Sequence, residues 1–437
     1  MRSRFTLGLL ALGISNPVLS TATNRHDELR FGRPESVGML SKPLRKLEAN
    51  LTAYTHPANY SSFTYGEIHP IEPGSVNIIA RDNTIVSYFA VGHHTLYADV
   101  NGTYLPKPKR ERTKLDTIYD MASLTKIFTT IAALQQLDTG LLALDATVAS
   151  YLPEFAVNGK ENITIQMLMT HTTGMDADPI PGLYDPQYTS KEQRIEAILS
   201  QKLINPPGSK YLYSDLSYMT LMLVLEEVTS TPLDELIGGF ASKLGMKDTF
   251  FNRGNIEGPE FPYYRRMATQ EFQLDAQNTT VPARPQPVRG TVHDENAWSL
   301  DGVSGHAGLF STVSDTAKLC QMILNNGTYG GQRILKASTV DLIFTNFNEN
   351  LDSARSLGFE LDKYATAGPM ANPLTASHTG FTGTTIVIDR PSNTFYLHFA
   401  NRVHPSRGWS SNGITRQALG YWVAKSLGRE VEFPSLD

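Results

Sequence analysis

Ser123-Leu124-Thr125-Lys126 is the stretch whose reading decides this chain. A short extended run, Leu115-Asp116-Thr117-Ile118-Tyr119-Asp120-Met121-Ala122, leads into it. An apolar-periodic stretch from Ile127 to Leu137 follows and stops at Gly140. The pattern predicts a strand that turns into a helix with Ser123 at its start. Residues three apart share a helix face, so the Ser123 hydroxyl and the Lys126 amine can meet. A serine hydroxyl is a poor nucleophile until a nearby base takes its proton, and a desolvated lysine can be that base. Keeping a lysine neutral near pH 7 requires about 4 kcal/mol of unfavourable charging, which a dry pocket can supply. The helix N-terminus adds free N–H groups and partial positive charge where an oxyanion would form. S-x-x-K also occurs as a solvated surface pair, so the rest of the chain has to carry the argument.

The chain has 437 residues, enough for one large or two medium domains. Its net charge of −5 is mild and no basic stripe is present, so composition gives no support to a nucleic-acid partner. Arg2 and Arg4 precede an apolar run from Phe5 to Ile14, then small residues around Val18-Leu19-Ser20-Thr21-Ala22. This is the pattern of a secretory signal peptide over residues 1–20, with cleavage near Ser20 or Ala22. The run is too short to span a bilayer, and no membrane span is expected elsewhere. Asn50, Asn59, Asn101, Asn162, Asn278 and Asn326 each begin an N-x-Ser/Thr sequon without an intervening proline. With the leader, they point to a secreted, extracellular eukaryotic glycoprotein. Cys320 is the sole cysteine, so no intrachain disulfide can form. It occupies an apolar position in a helical pattern and is expected to be buried and inert.

Helices are expected over Leu40–Tyr54, Ile163–Thr170, Leu216–Val228, Pro232–Leu244, Ser314–Asn325 and Asn412–Leu427. Two hairpins are expected, Val76–Val91 around Arg81-Asp82-Asn83 and Thr384–Asn401 around Pro391-Ser392-Asn393. The Pro-rich, polar segment Gly254–Arg289 reads as an extended loop or a lid. Strands near both ends and helices between them predict an α/β (α+β) fold. A large antiparallel sheet, from about 76–120 and 290–430, would be flanked by helices, with an all-helical lobe over about 121–290.

Three more segments can be read beside Ser123 and Lys126. Tyr213-Ser214-Asp215 lies between the Pro207-Gly208 turn and a helix, where a tyrosine can reach a pocket from a rigid base. His378-Thr379-Gly380 runs into Phe381-Thr382-Gly383, and glycines in a strand mark close approach of a ligand or another backbone. His171, in Leu168-Met169-Thr170-His171-Thr172-Thr173-Gly174, lacks an i,i+4 partner, so capping or loop anchoring is expected rather than a metal. His293-Asp294-Glu295 look like metal ligands, but consecutive residues of an extended segment cannot all face one ion. A hydrogen-bonded loop beside the active site is expected there.

In their order and spacing these segments resemble the serine β-lactamase and penicillin-binding-protein superfamily, one of whose motifs is S-x-x-K. The nearest branch is the class C β-lactamase-like proteins, with their esterases, transesterases and D-alanyl peptidases. The chain looks like a secreted fungal-type member, similar over about 31–430. The resemblance implies a β-lactamase/transpeptidase-like fold and the motifs S-x-x-K, Y-S-N as Tyr213-Ser214-Asp215, and K/H-T-G as His378-Thr379-Gly380. It implies catalysis by Ser123, Lys126 and Tyr213 through an acyl-enzyme, with an oxyanion between the backbone N–H groups of Ser123 and Phe381. No metal and no cofactor are implied, and the substrate would be a small ester or amide. Val292–Ala297 with Gly305–Thr312 looks like a bacterial subgroup of penicillin-binding-like proteins.

Two departures bear on mechanism. Asp215 stands where the family often has asparagine, and a carboxylate at short range would keep Lys126 charged. Tyr213 would then be the better base. His378 replaces the lysine of many β-lactamases and is mostly neutral at pH 7. Ester cleavage or acyl transfer is therefore expected ahead of potent β-lactamase activity. An acyltransferase or transesterase of secondary metabolism, a D-alanyl peptidase or β-lactamase, and a non-catalytic binding protein on the same scaffold are the rivals.

Overall fold

The computed structural model describes residues 27–274 and 284–435. The expected signal segment and the Asn278 sequon lie outside the described residues. An eight-stranded sheet organises the molecule. Across it run Arg30–Phe31, Thr84–Thr95, Gly74–Arg81, Thr394–Ala400, Thr385–Asp389, Thr375–Thr379 and Glu360–Leu361, and Glu111–Arg112 pairs beside them on Thr84–Thr95. The sheet is mixed rather than purely antiparallel, because Arg30 and Phe31 pair in parallel with Thr84 and Ile85. That edge strand is two residues long and carries no periodic signal.

Helices cover both faces, so the central strands read as continuous apolar runs. Alternation sorts their side chains. Ile78, Ile386, Ile388, Phe395, Leu397 and Phe399 join the larger core, under the helices Thr125–Thr139, Asp215–Thr229 and Val313–Leu324. Their neighbours Ile79, Val387 and Tyr396 join a second core, under Ser41–Tyr54 and Gly413–Ser426. The last helix therefore packs on the first, joining the two ends of the described chain. Cys320 is buried in the larger core, and burial pushes its thiol pKa up.

The extended run before Ser123 needs correction. Only Tyr119–Asp120 of the run Leu115–Ala122 is strand, and it belongs to a separate three-stranded sheet with Leu309–Ser311 and Phe250–Phe251. Leu115 and Asp116 turn instead, closed by Thr117 N–H donating to Lys114 O at 3.0 Å. Of the two readings of Gly254–Arg289, the described part fits the extended loop, broken by the 3-10 turns Gly258–Glu260 and Tyr264–Arg266. Thr269 N–H donates to His94 O and Gln270 N–H to Val288 O, which ties the segment to the body. Asn59, Asn101, Asn162 and Asn326 are exposed, whereas Asn50 is half-buried and accepts a hydrogen bond from Trp422. Among the described residues no helix is long and apolar enough to cross a membrane.

Candidate active site

Ser123 sits in a single 3-10 turn, Ala122–Leu124, immediately before the helix Thr125–Thr139. In a 3-10 turn residues three apart eclipse one another. The pairing expected of an α-helix is therefore made from a tighter one: Lys126 Nζ donates to Ser123 Oγ at 3.1 Å. Ala122 has a φ of 45°, in the left-handed region that costs a residue with a Cβ ~1–2 kcal/mol. Its neighbours hold it there. Ala122 N–H donates to Asp120 Oδ1 at 2.8 Å, and His293 N–H donates to the other oxygen at 2.6 Å. Thr382 and Thr384 donate through their hydroxyls to Asp120 O and Met121 O, at 2.7 and 3.1 Å. The serine turn is thus clamped to the loop after the His378-Thr379-Gly380 strand.

Lys126 is fully buried and its ammonium is saturated. Besides Ser123 Oγ it donates to His306 O at 3.1 Å, and it lies 2.6 Å from Asp215 Oδ1. An ammonium has three donors, and three acceptors surround this one. Burial alone would lower the lysine's pKa, but Asp215 and Tyr213 outweigh it and hold the pKa above its ordinary value. Lys126 is therefore charged at rest, as Asp215 led the sequence to suggest. Tyr213 also keeps its proton, because burial raises its pKa while the Lys126 charge only pulls against that. Tyr213 therefore rests as a phenol and would act by passing a proton on.

Ser214 caps the helix Asp215–Thr229 by accepting from Ser217 N–H, which points Asp215 at Lys126. His171 fixes the approach to that cap. Its Nδ1 accepts from Ser214 N–H at 3.1 Å and its ring packs against Tyr213 at 4.5 Å. It anchors a loop, as its isolation in sequence implied. His378 is buried, and its Nδ1–H donates to Thr379 O at 2.9 Å. Burial, then the Arg355 and Lys126 charges, hold its pKa well below the usual value, so the imidazole is neutral.

Two cavities of about 400 Å³ meet at this point, and Ser123, Tyr213 and Phe381 line both. His378, Thr379 and Gly380 border the first, with Arg355, Arg402 and Arg416. Asp178, Asp215, Asp294 and Glu295 border the second, with Arg407. The Phe381 ring stands between Arg402 and Arg407, 4.6 and 5.4 Å from their guanidinium carbons, and stacks on His293. The three first-cavity arginines and Asp178 carried no signal in sequence.

Asp215, Asp294 and His306 offer ligand atoms within 4.8 Å of one another. Their charges are already matched: Asp215 by Lys126, and Asp294 by His306 at 3.0 Å. Burial lowers the His306 pKa, but Asp294 outweighs it and keeps the imidazole protonated more readily than usual. A metal would have to displace a buried ammonium from this position. His293 turns the other way, to Glu271 at 3.0 Å, while Asp294 caps the helix Glu295–Ser299. The segment is the hydrogen-bonded loop that its consecutive residues implied.

The beta-lactamase family profile matches residues 69–419, which contain every residue of this site. The chain belongs to the beta-lactamase family. Members of this family are serine hydrolases. A putative D-alanyl-D-alanine carboxypeptidase of Salmonella paratyphi B is 32% identical over 421 residues, covering 91% of this chain and 89% of its own. Two solved structures share the fold. EstCE1, a hydrolase with promiscuous acyltransferase activity, has a TM-score of 0.62 at 20% identity, over 87% of this chain and 99% of its own. A family VIII carboxylesterase has a TM-score of 0.62 at 20% identity, over 89% and 99%.

Proposed function

We propose that this beta-lactamase family member cleaves small esters or amides through an acyl-enzyme on Ser123. The observation that carries the reading is the hydrogen bond from Lys126 to Ser123 Oγ, in a lysine also paired to Asp215. Ser123 Oγ attacks the carbonyl carbon, and its proton leaves through Tyr213 and Lys126. Lys126 starts charged, so as it takes that proton it passes one of its own to the Asp215 carboxylate. The oxyanion forms between the backbone N–H groups of Ser123 and Phe381. The stored proton then goes to the departing alcohol or amine. Water, deprotonated through the same chain, cleaves the acyl-Ser123 ester and restores the enzyme. An alcohol or amine in place of water makes the same chemistry an acyl transfer.

His378 is neutral, yet that does not disfavour anionic substrates as the sequence implied. Three arginines around the same cavity supply the positive charge that the missing lysine would have given. Peptidase and β-lactam chemistry therefore stand beside ester cleavage, and the Salmonella relative's name supports including them. The basic-apolar N-terminus and the exposed sequons support an extracellular location.

The test is hydrolysis of p-nitrophenyl acetate, nitrocefin and a D-alanyl-D-alanine peptide by the wild type and by Ser123→Ala. Turnover of at least one, reduced more than 1,000-fold in the variant, is expected. Equal rates in the two proteins would overturn the reading.

A further inference from the structure

The two cavities that meet at Ser123 carry opposite charge. In the first, Arg355, Arg402 and Arg416 face a single acid, Glu360. Arg355 is 4% exposed, and among the described residues its Nε and Nη1 have no hydrogen-bond partner. It reaches Tyr211 and Glu360 through Nη2. Arg402 donates to the carbonyls of Phe381, Arg407 and Ser410. Arg416 donates to Thr385 Oγ1 and Gly380 O. Buried donors left unpaired cost free energy that a bound acceptor recovers.

In the second cavity the internal pairs are closed. Asp215 has Lys126, Asp294 has His306, and Glu295 has Arg407 at 2.8 Å. Asp178 is left over. It is exposed on the cavity wall, and no hydrogen bond or ion pair engages it among the described residues. One side of the reacting serine thus has a surplus of positive charge, and the other a carboxylate whose pKa burial, then Asp215 and Asp294, raise to about 6.

We infer that the substrate is charged on both sides of its scissile bond, with an anionic group among Arg355, Arg402 and Arg416 and a protonated amine or quaternary ammonium against Asp178. This inference rests on the acyl-enzyme reading and names the substrate class. Neutral esters would fill the same space but leave Arg355 and Asp178 unpaired. Such a site rejects analogues that lack the matching group. The Phe381 ring, between Arg402 of the first cavity and Arg407 of the second, marks the boundary between the two charged regions.

Thioesters test this, because released thiol reports cleavage directly. Alanyl-thioglycolate carries an amine on the acyl side and a carboxylate on the thiol side, and succinylthiocholine has the reverse polarity. Each is compared with analogues in which the amine is acetylated or absent, the carboxylate is amidated, or both ends are neutral. One of the two doubly charged thioesters is expected to exceed all its analogues in kcat/KM by tenfold or more. Asp178→Asn should remove the advantage of the cation and not that of the anion. Arg355→Gln should do the converse. Because Arg355 is buried and its substitution puts folding at risk, the half-buried Arg416→Gln gives a second reading of the anion side. Neutral analogues cleaved as well as both doubly charged thioesters would overturn the inference. So would an Asp178→Asn enzyme with an unchanged preference. A Ser123 adduct with a fluorophosphonate, formed in the same preparation, separates that outcome from failure of the acyl-enzyme reading itself.

Discussion

The Lys126 ammonium lies 2.6 Å from the Asp215 carboxylate, closer than it lies to the serine it serves. This buried pair decides how the site is charged at rest. In the wild type Asp215 and Tyr213 hold Lys126 charged, so no neutral lysine has to form before the reaction. In Asp215→Asn the carboxylate is gone and burial, the largest influence on Lys126, drives its pKa down. Lys126 must then be neutral to act, and its own titration becomes the acidic limb. The limb of kcat/KM should therefore move to higher pH, by about one unit or more. A limb that moves to lower pH would mean that the wild type already requires neutral Lys126.

Gly380 tests the clamp between the strand end and the serine turn. A Cβ there would fall 2.1 Å from Thr384 Oγ1 and 2.6 Å from Met121 O. Met121 O is the acceptor through which Thr384 ties the loop to the turn. Gly380→Ala should push the loop away from Ser123, and misplacement by ~1 Å costs on the order of 100-fold in rate. Ester kinetics beside a thermal melt would check this. Wild-type kinetics would show that the close approach does not matter.

Stability should fall on mild acidification through His404. Its Nε2 accepts from the N–H groups of Leu96 and Tyr97, both at 3.1 Å, and its Nδ1–H donates to Gln270 O at 2.9 Å. Protonation would set a donor against two donors. Burial brings its pKa down to about 3. The folded value lies below the unfolded one of about 6.5, so the unfolded chain binds the proton first. The contribution is complete above about pH 6.5 and is lost as the pH falls toward 3. Between pH 6.5 and 4.5 this amounts to about 2 kcal/mol. Thermal melts across that range should show His404→Gln with a lower Tm at pH 7 and a shallower decline. Parallel declines would remove His404 as the cause.

The catalytic segments were legible because each is local. Ser123 and Lys126 are three residues apart, Tyr213-Ser214-Asp215 is a helix start, and His378-Thr379-Gly380 is a strand end. Asp215 even announced the charge of Lys126. Arg355, Arg416 and Asp178 were not legible. They come from a loop, a helix and a turn far apart in sequence, and only the fold brings them to the two cavities that meet at Ser123. The resting protonation of Tyr213 was not legible for a related reason. Proximity to Lys126 was readable, but the burial that raises the phenol's pKa depends on packing by residues such as His171. The central hairpins were legible from apolar runs flanking turn residues, whereas the two-residue strands Arg30–Phe31 and Glu360–Leu361 are too short to carry a pattern.

The central claim is that Ser123 is the nucleophile, and peptide mass spectrometry after treatment with a fluorophosphonate tests it most directly. The account predicts one adduct, on the peptide containing Ser123, absent from Ser123→Ala and formed more slowly in Lys126→Met. An adduct on another residue, or none on Ser123 in folded protein, would contradict it.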